Sequence, residues 1–494
     1  MPNVVLAPVE TLVRHTLADD AFYYFVLARH FPTPAFDAGV RTTGFHPLYW
    51  VLIGPVFRLV GGSAPIRFAL LLLLAAHVGT GLVMWRVVRR HVGPGPAVAA
   101  AVWWMVDPHV RALALLGVET SLATLGVMAL VWAVDASPAT RRHALAVGSL
   151  VGLTFLARTD SVIVTVPIAA AWLVKSTRAI QCRRLVPTLG LSASVAAAIA
   201  CPWISYLVAH GAVAAQDSQV AERLLSARRG VTWSFLAPVW HYVSGHLSYA
   251  LVPWVEPGRL SPSIVDLVGI TAVLATALAA AGCAGARRWL GLVAPCAGGT
   301  VALFVAYALV LHHLSAWYVL YACLATWLTV VVPVIALIAG RLGSRRWPLS
   351  LRAVSLLAAV GAVMAVGWTK QQDFEPGQLD KYRAVAAAKA GAVPAGARLG
   401  ALNDGLVAYY FPGGSLDLDG VVDPQVISAI EEHGMCQFAR DHHVDWVLDD
   451  PGAVKRLLAL GPGLSIQPVQ ILPAQGHVVG ERQILVELST DDCR

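Results

Sequence analysis

This sequence has few charged residues. Only 13% of its 494 residues are Asp, Glu, Lys or Arg, while 57% are hydrophobic. A soluble domain carries about 25% charged residues, so the composition excludes a soluble globular protein and predicts an integral membrane protein. The remaining charge is unevenly divided, because residues 1–368 carry 26 basic and 12 acidic residues and residues 369–494 carry 10 and 17. We therefore predict a membrane domain over 1–368 and a soluble domain over 369–494.

Several functional motifs are also absent. The sequence contains no GxxxxGK[ST] loop, no GxGxxG run opening a βαβ segment and no Gly-x-Ser-x-Gly elbow. The formal charge of +7 does not indicate a nucleic-acid partner, because the basic excess lies in loops between membrane spans. Cysteines show no metal-binding spacing, and those at 201, 283, 296 and 323 lie in hydrophobic runs typical of packing residues. Cys436 and Cys493 are the only pair in the soluble domain, where a disulfide is allowed if the domain lies outside the cytoplasm.

Hydrophobic runs predict a polytopic, mainly helical bundle of about ten spans. The runs are 64–86, 94–107, 113–134, 144–157, 161–174, 185–208, 263–284, 289–311, 318–339 and 350–368. Loops on one side carry 15 basic residues and a single acid, Asp135, so the positive-inside rule predicts that this side is cytoplasmic. The acid-rich opposite side, with the soluble domain, is predicted to be extracytoplasmic in a bacterial plasma membrane.

The N-terminal segment differs from the rest of the membrane domain. Residues 1–18 hold an apolar stretch too short to cross a bilayer, so we expect that a first spanning helix before Asp19 is missing from this sequence. In the outer loop 19–63, the apolar run His46–Val60 needs both ends on the outer side. This run therefore predicts an interfacial helix on the outer leaflet.

The soluble domain reads as a small α/β fold. Short apolar runs at 398–402, 406–411, 446–448, 465–472 and 483–488 indicate strands, which alternate with helical segments at 380–390, 426–433 and 453–460. At about 125 residues the domain is large enough to have its own core.

The strongest candidates for chemistry are two adjacent carboxylates, Asp19 and Asp20, which open the segment Asp-Asp-Ala-Phe-Tyr-Tyr. A carboxylate at a membrane surface can act as a general base toward an acceptor hydroxyl, and the pair could hold a divalent cation. Alternatively, the two acids start a helix, where they cap backbone N–H groups and suit the helix dipole.

Further candidates lie at the outer ends of the predicted spans. Glu119 either faces the same cavity or stabilises a first helical turn, and Arg158 either binds an anionic group or pairs internally with Asp160. The loop containing His312, His313 and Tyr318 either grips a lipid phosphate and a sugar ring or forms an ordinary aromatic belt. Tyr23 and His46 complete the predicted substrate-binding set.

These motifs resemble those of the GT-C glycosyltransferases, a superfamily of multi-spanning enzymes that includes protein O-mannosyltransferases and aminoarabinose transferases. The resemblance is carried by the acidic pair, by Thr-Gly-Phe-His-Pro-Leu-Tyr-Trp at 43–50, by Gly-Val-Glu-Thr at 117–120 and by Leu-Asp-Gly-Val-Val at 418–422. The match is nearest to an uncharacterised bacterial group, although this chain lacks the Asn that precedes Gly44 there.

The resemblance implies a polyprenyl-phosphate sugar as donor, an inverting single displacement, and Asp19 as the catalytic acid supported by Asp20. It also implies an envelope glycan, lipid or protein as the acceptor. Two other functions fit the same sequence pattern: a transporter or flippase of lipid-linked intermediates, and a structural or sensor protein whose soluble domain binds a partner.

Overall fold

The computed structural model describes residues 7–36, 39–136, 140–179, 182–212, 215–227, 276, 284–307, 309, 318–343, 378–472 and 483–493. His312 and His313 lie outside these residues, as does the predicted span at 350–368. The predicted span at 263–284 also lies outside them, apart from its positions 276 and 284.

The described part of the membrane domain is mainly helical. Its helices are α1 Val9–His15, α2 Asp19–Arg29, α3 Pro47–Leu59, α4 Ala64–His91, α5 Pro94–Val106, α6 Pro108–Ala114, α7 Thr120–Ala136, α8 Arg141–Ala157, α9 Val162–Ala179, α10 Cys182–Ala209, α11 Asp217–Ala227, α12 Ala284–Ala306, α13 Val319–Thr326 and α14 Val332–Gly343. A π-helical turn, Trp327–Val331, joins α13 to α14.

Five segments of the described chain are long and apolar enough to cross a membrane. They are Ala64–His91, Thr159–Thr177, Val186–Ala209, Ala284–Ala306 and Val319–Leu337. The mainly helical membrane fold is thereby confirmed, whereas a total of about ten spans stays a prediction. The run predicted as one span at 113–134 is interrupted, because α6 ends at Ala114 and α7 begins only at Thr120.

The C-terminal region, which keeps its predicted name of soluble domain below, holds a five-stranded mixed sheet. Its strands are β1 Arg398–Ala401, β2 Ser415–Asp417, β3 Val444–Asp449, β4 Ser465–Leu472 and β5 Gln483–Ser489. The order is β2-β1-β3-β5-β4, in which β2, β1 and β3 are parallel and β5 pairs antiparallel with both β3 and β4. The helices are α15 Gln378–Ala387, α16 Gly405–Tyr410, α17 Pro424–Glu431, α18 Met435–Asp441 and α19 Pro451–Leu460. The predicted α/β fold is confirmed, but the run 406–411 is helical rather than extended.

Local sequence signals explain where two of these helices begin. Asp423 accepts a hydrogen bond from Gln425 N at 2.9 Å, and Asp450 accepts from Gly452 N at 2.7 Å. A proline follows each of these aspartates, in the first helical position where a missing N–H costs nothing. Cys436 on α18 and Cys493 form a disulfide with their Cα atoms 5.4 Å apart, as the sequence allowed.

The soluble domain packs directly on the membrane domain. Helix α16 packs against α2, and α11 packs against α17. Leu224 and Leu225 of α11 lie against the apolar core of the soluble domain. Val422 is buried in a larger core that residues of both domains share. The backbone of Gly44 comes so close to Val421 O that an added Cβ would lie 2.0 Å from it. The motifs at 43–50 and 418–422 therefore meet at this interface.

Candidate active site

Helix α2 begins on the turn that carries the Gly-Val-Glu-Thr motif. Ala18 N donates to Leu116 O at 2.9 Å, which holds the chain just before the helix starts. Gly117 has φ of 88°, and a Cβ added there would lie 2.4 Å from Ala21 Cβ. A positive φ and this close approach both require glycine. Gly117 therefore allows the start of α2 to pack closely on this turn, so Asp19, Asp20 and Glu119 lie at the same end of the bundle.

Asp19 is buried between the two domains. Its Oδ1 accepts from Lys381 Nζ at 3.2 Å and from Leu406 N at 3.3 Å, and its Oδ2 accepts from Gly405 N at 3.2 Å. The last two donors are the first N–H groups of α16, whose positive dipole end suits a carboxylate. A Cβ at position 405 would lie 2.4 Å from Asp19 O, so the glycine permits this approach. The carboxylate that the sequence singled out therefore caps a helix of the other domain.

The electrostatic setting of Asp19 is mixed. Burial raises the pKa of its carboxyl, and the charge of Lys381 opposes that rise. Lys381 also donates to Asn403 O. Burial disfavours the charge of Lys381, but the carboxylates of Asp19 and Asp449 hold the pKa of its ammonium above the usual value. The Asp19 carboxylate accepts hydrogen bonds from the ammonium of Lys381 and from two backbone N–H groups. This surrounding of donors disfavours a metal cation bound to the same carboxylate. Elsewhere in the described ranges, no three His, Cys, Asp or Glu side chains are grouped to hold a metal.

Tyr23 lies on the same side of α2 as Asp19. Its hydroxyl accepts from Asp404 N at 3.0 Å, so it too is tied to the turn before α16. Burial raises the pKa of this phenol well above its ordinary value, and the carboxylates of Asp419, Asp417 and Asp19 raise it further. Tyr23 is therefore a neutral hydroxyl among acidic groups.

Arg158 is the centre of a second, buried network. Its Nη1 donates to Glu119 Oε1 at 2.5 Å, and its Nε and Nη2 donate to Asp160 at 3.1 and 2.6 Å. The arginine is 2% exposed, and the hydroxyl of Tyr307 also donates to Asp160. The internal Arg158–Asp160 pair is therefore present, and Glu119 adds a second carboxylate that the sequence did not connect to it.

Aromatic and imidazole side chains surround this network. Tyr318 stacks on Tyr307 with ring centroids 4.5 Å apart, and the Arg158 guanidinium lies 4.8 Å from the Tyr318 ring centroid. His46 Nε2 lies 3.8 Å from Glu119 Oε1, and burial lowers the pKa of the imidazole despite that carboxylate. The backbone N–H of His46 donates to the hydroxyl oxygen of Tyr24 at 3.1 Å. Four predicted substrate-binding residues, His46, Glu119, Arg158 and Tyr318, are thus brought together.

The loop carrying His46 is held by Gln216, which precedes α11, and by Asp217, the first residue of that helix. Gln216 Nε2 donates to Thr43 O at 3.1 Å and to Phe45 O at 2.9 Å, and its Oε1 accepts from Thr159 Oγ1 at 2.8 Å. Asp217 Oδ2 accepts from Thr43 N at 2.6 Å. Gln216 thereby connects the loop to the Arg158 segment, a role that no local sequence pattern signalled.

A third group of acids lies at the end of β2. Asp417 is fully buried, and its side chain accepts from the backbone N–H groups of Asp419, Gly420 and Val422 at 3.1 to 3.3 Å. Burial raises the pKa of Asp417 to about 7, and burial together with Asp417 raises that of Asp419 well above its ordinary value. The Leu-Asp-Gly-Val-Val motif is thus a hydrogen-bonded turn at the interface between the domains.

By sequence, no family model and no curated protein matches this chain. By structure, the chain shares its fold with solved GT-C glycosyltransferases, so the predicted resemblance is confirmed for the fold.

Two solved structures illustrate the likeness. ArnT from Cupriavidus metallidurans, bound to undecaprenyl phosphate, has a TM-score of 0.56 and 15% identity, over 97% of this chain and 95% of that one. The oligosaccharyltransferase of Archaeoglobus fulgidus, in complex with Zn and sulfate, has a TM-score of 0.51 and 13% identity, over 93% of this chain and 70% of that one.

Proposed function

We propose that this protein is a membrane glycosyltransferase that moves a sugar from a polyprenyl-phosphate donor to an acceptor hydroxyl. The observation that carries the proposal is the GT-C fold, which extends over 97% of the chain in the comparison with a structure bound to undecaprenyl phosphate. The clustering of predicted site residues at one end of the bundle supports it independently of that likeness.

The proposed reaction is an inverting single displacement. The acceptor oxygen attacks the anomeric carbon as its proton passes to a carboxylate, and the bond from that carbon to the phosphate oxygen breaks. The lipid phosphate leaves with the bonding electrons, so the sugar inverts. Asp19 is the proposed base: burial makes its carboxylate more basic, and Lys381 favours the ionised form that can take a proton.

Asp20, the next residue, is the proposed supporting acid. It is half-buried at the first turn of α2, where the helix dipole favours a negative charge. An acceptor that reaches Asp19 does so beside Lys381 and the start of α16, so the soluble domain forms one wall of the proposed acceptor site.

The Arg158 network forms the proposed sugar-binding side. Two carboxylates already match the charge of Arg158, so this arginine orients Glu119 and Asp160 rather than neutralising a lipid phosphate. Carboxylates accept hydrogen bonds from sugar hydroxyls, and the ring of Tyr318 can pack on a sugar face. His312 and His313 remain the proposed contacts to the phosphate.

We place the site on the extracytoplasmic face of a bacterial plasma membrane, facing an envelope glycan, lipid or protein acceptor. The Cys436–Cys493 disulfide supports this orientation, because disulfides persist mainly in oxidising compartments.

The test is consumption of a panel of polyprenyl-phosphate sugars by the purified full chain, with an envelope extract as acceptor source. Asp19→Asn should lower the rate by about 10²- to 10⁴-fold, the range that general-base catalysis supplies. Asp441→Asn, at an exposed position of the soluble domain, serves as the matched control and should leave the rate unchanged.

Asp20→Asn identifies which carboxylate acts as base. Loss of activity in Asp20→Asn with an active Asp19→Asn would overturn the assignment of Asp19. Failure of the folded protein to consume any donor would refute the glycosyltransferase and favour a transporter of lipid-linked intermediates.

A further inference from the structure

A groove of about 660 Å³ lies at the opposite end of the bundle from the candidate active site. It is lined by Trp85, Arg86, Arg89 and Arg90 from the last two turns of α4 and by Trp132 from the last turns of α7. These two helices pack against each other. The groove therefore lies where a spanning helix ends, at the level of the lipid headgroups.

The arginines that line the groove outnumber the carboxylates near it. Asp135 is its nearby carboxylate, and this side chain is already held by Arg90 at 3.2 Å and by His91 at 2.7 Å. Within the described part of the chain, Arg86 and Arg89 are exposed and form no ion pair, although Arg89 lies 5.6 Å over the Trp85 ring. Two guanidinium groups are left to face an anion.

The indole of Trp132 adds a second indication. Its ring lines the groove together with the ring of Trp85, beside the arginines. Tryptophan rings in the headgroup region of a membrane pack against the upper parts of lipid acyl chains. A ligand with a phosphate and an apolar body would match both the arginines and the indole.

We propose that this groove is a binding site for an anionic phospholipid, whose headgroup phosphate lies between Arg86 and Arg89. Guanidinium groups bind phosphate through paired hydrogen bonds, and basic pockets between membrane helices on the cytoplasmic side bind anionic headgroups. The site is separate from the proposed glycosyl transfer and does not depend on it. A free phosphate would satisfy the arginines alone and would leave the apolar walls of Trp85 and Trp132 uncovered.

The experiment is native mass spectrometry of the full chain released from mixed micelles containing phosphatidylglycerol and phosphatidylcholine. The wild-type protein should retain one phosphatidylglycerol in preference to phosphatidylcholine. The double variant Arg86→Gln/Arg89→Gln should lower that retention by at least about tenfold, as expected for the loss of charge-assisted hydrogen bonds. Arg86→Lys/Arg89→Lys, which keeps the charge and loses the paired geometry, should retain an intermediate amount.

The matched control is Arg141→Gln/Arg142→Gln, which removes two exposed arginines at the same end of the bundle. Equal losses in the two glutamine double variants would overturn the groove as a specific site and leave general surface attraction. Displacement of phosphatidylglycerol by millimolar inorganic phosphate would likewise overturn the lipid proposal. The melting temperature of each variant confirms that a loss of lipid is not a loss of fold.

Discussion

The ion pair between Lys381 and Asp19 joins the two domains, and breaking it from either side should have unequal effects. The side chain of Lys381 is 6% exposed and that of Asp19 is 12% exposed. Lys381→Met leaves a buried carboxylate without its counter-ion, which costs about 3–5 kcal/mol. Asp19→Asn keeps one oxygen that can accept from Gly405 N, removes the buried charge and leaves Lys381 bonded to Asn403 O. It should therefore cost less, about 1–3 kcal/mol.

The rate of limited proteolysis of the soluble domain in detergent measures this effect, because cleavage follows the population of the undocked state. A cost of 3–5 kcal/mol should raise that rate by about 10²-fold to several thousandfold in Lys381→Met, because each 1.4 kcal/mol is about tenfold. The matched control is Lys389→Met, at an exposed lysine just after α15, the helix that carries Lys381. This variant should change the proteolysis rate little.

The double variant Lys381→Met/Asp19→Asn decides whether the pair itself is responsible. Its effect should be smaller than the sum of the single effects by at least about 1 kcal/mol, because the carboxylate and the ammonium are removed together. Additive effects, or equal effects of Lys381→Met and Lys389→Met, would refute the reasoning.

Three further predictions concern stability. Reduction of the Cys436–Cys493 bond, which closes a loop of 57 residues, should destabilise the soluble domain by about 4 kcal/mol, measured by denaturation with and without reductant; an unchanged midpoint would contradict this. The pKa of Asp417 is raised in the folded state, so the folded protein loses stability as this carboxyl ionises between about pH 4 and about pH 7. The melting temperature should therefore fall over that range, and Asp417→Asn should make the melting temperature depend less on pH. Arg158→Met leaves two carboxylates buried without their counter-ion and should lower the free energy of unfolding by about 3–5 kcal/mol, whereas Glu119→Gln should lower it by about 1–2 kcal/mol. A lower melting temperature for Glu119→Gln than for Arg158→Met would contradict the network.

Hydrophobic length and alternation predicted most of the fold, because long apolar runs and short β-rich runs are local signals. The two departures have tertiary causes. The run 113–134 is broken because Gly117 turns the chain to seat α2. The run 406–411 is helical because Asp19, almost 400 residues away, accepts its first N–H groups. No local pattern contains that contact.

The candidate site was predictable only in part, for the same reason. Glu119, Arg158 and His46 stand out because polar residues at the ends of apolar helices are conspicuous. Lys381 and Gln216 do not, because one lysine in an amphipathic helix and one glutamine in a polar loop resemble ordinary surface residues until the fold buries them. Their roles depend on partners distant in the chain, so only the three-dimensional arrangement identifies them.

The docking of α16 on Asp19 has a consequence for the order of assembly during synthesis. Asp19 is synthesised 362 residues before Lys381, an interval of about 20–70 s at typical translation rates. During that interval the carboxylate has neither its ammonium nor the N–H groups of α16. Protection of α2 from protease in nascent chains should therefore arise only after Leu406 has been made, and earlier protection would contradict this order. The soluble domain is synthesised after the membrane domain and completes the environment of Asp19, so a chain released before Leu406 has a membrane bundle whose proposed base lacks its partners.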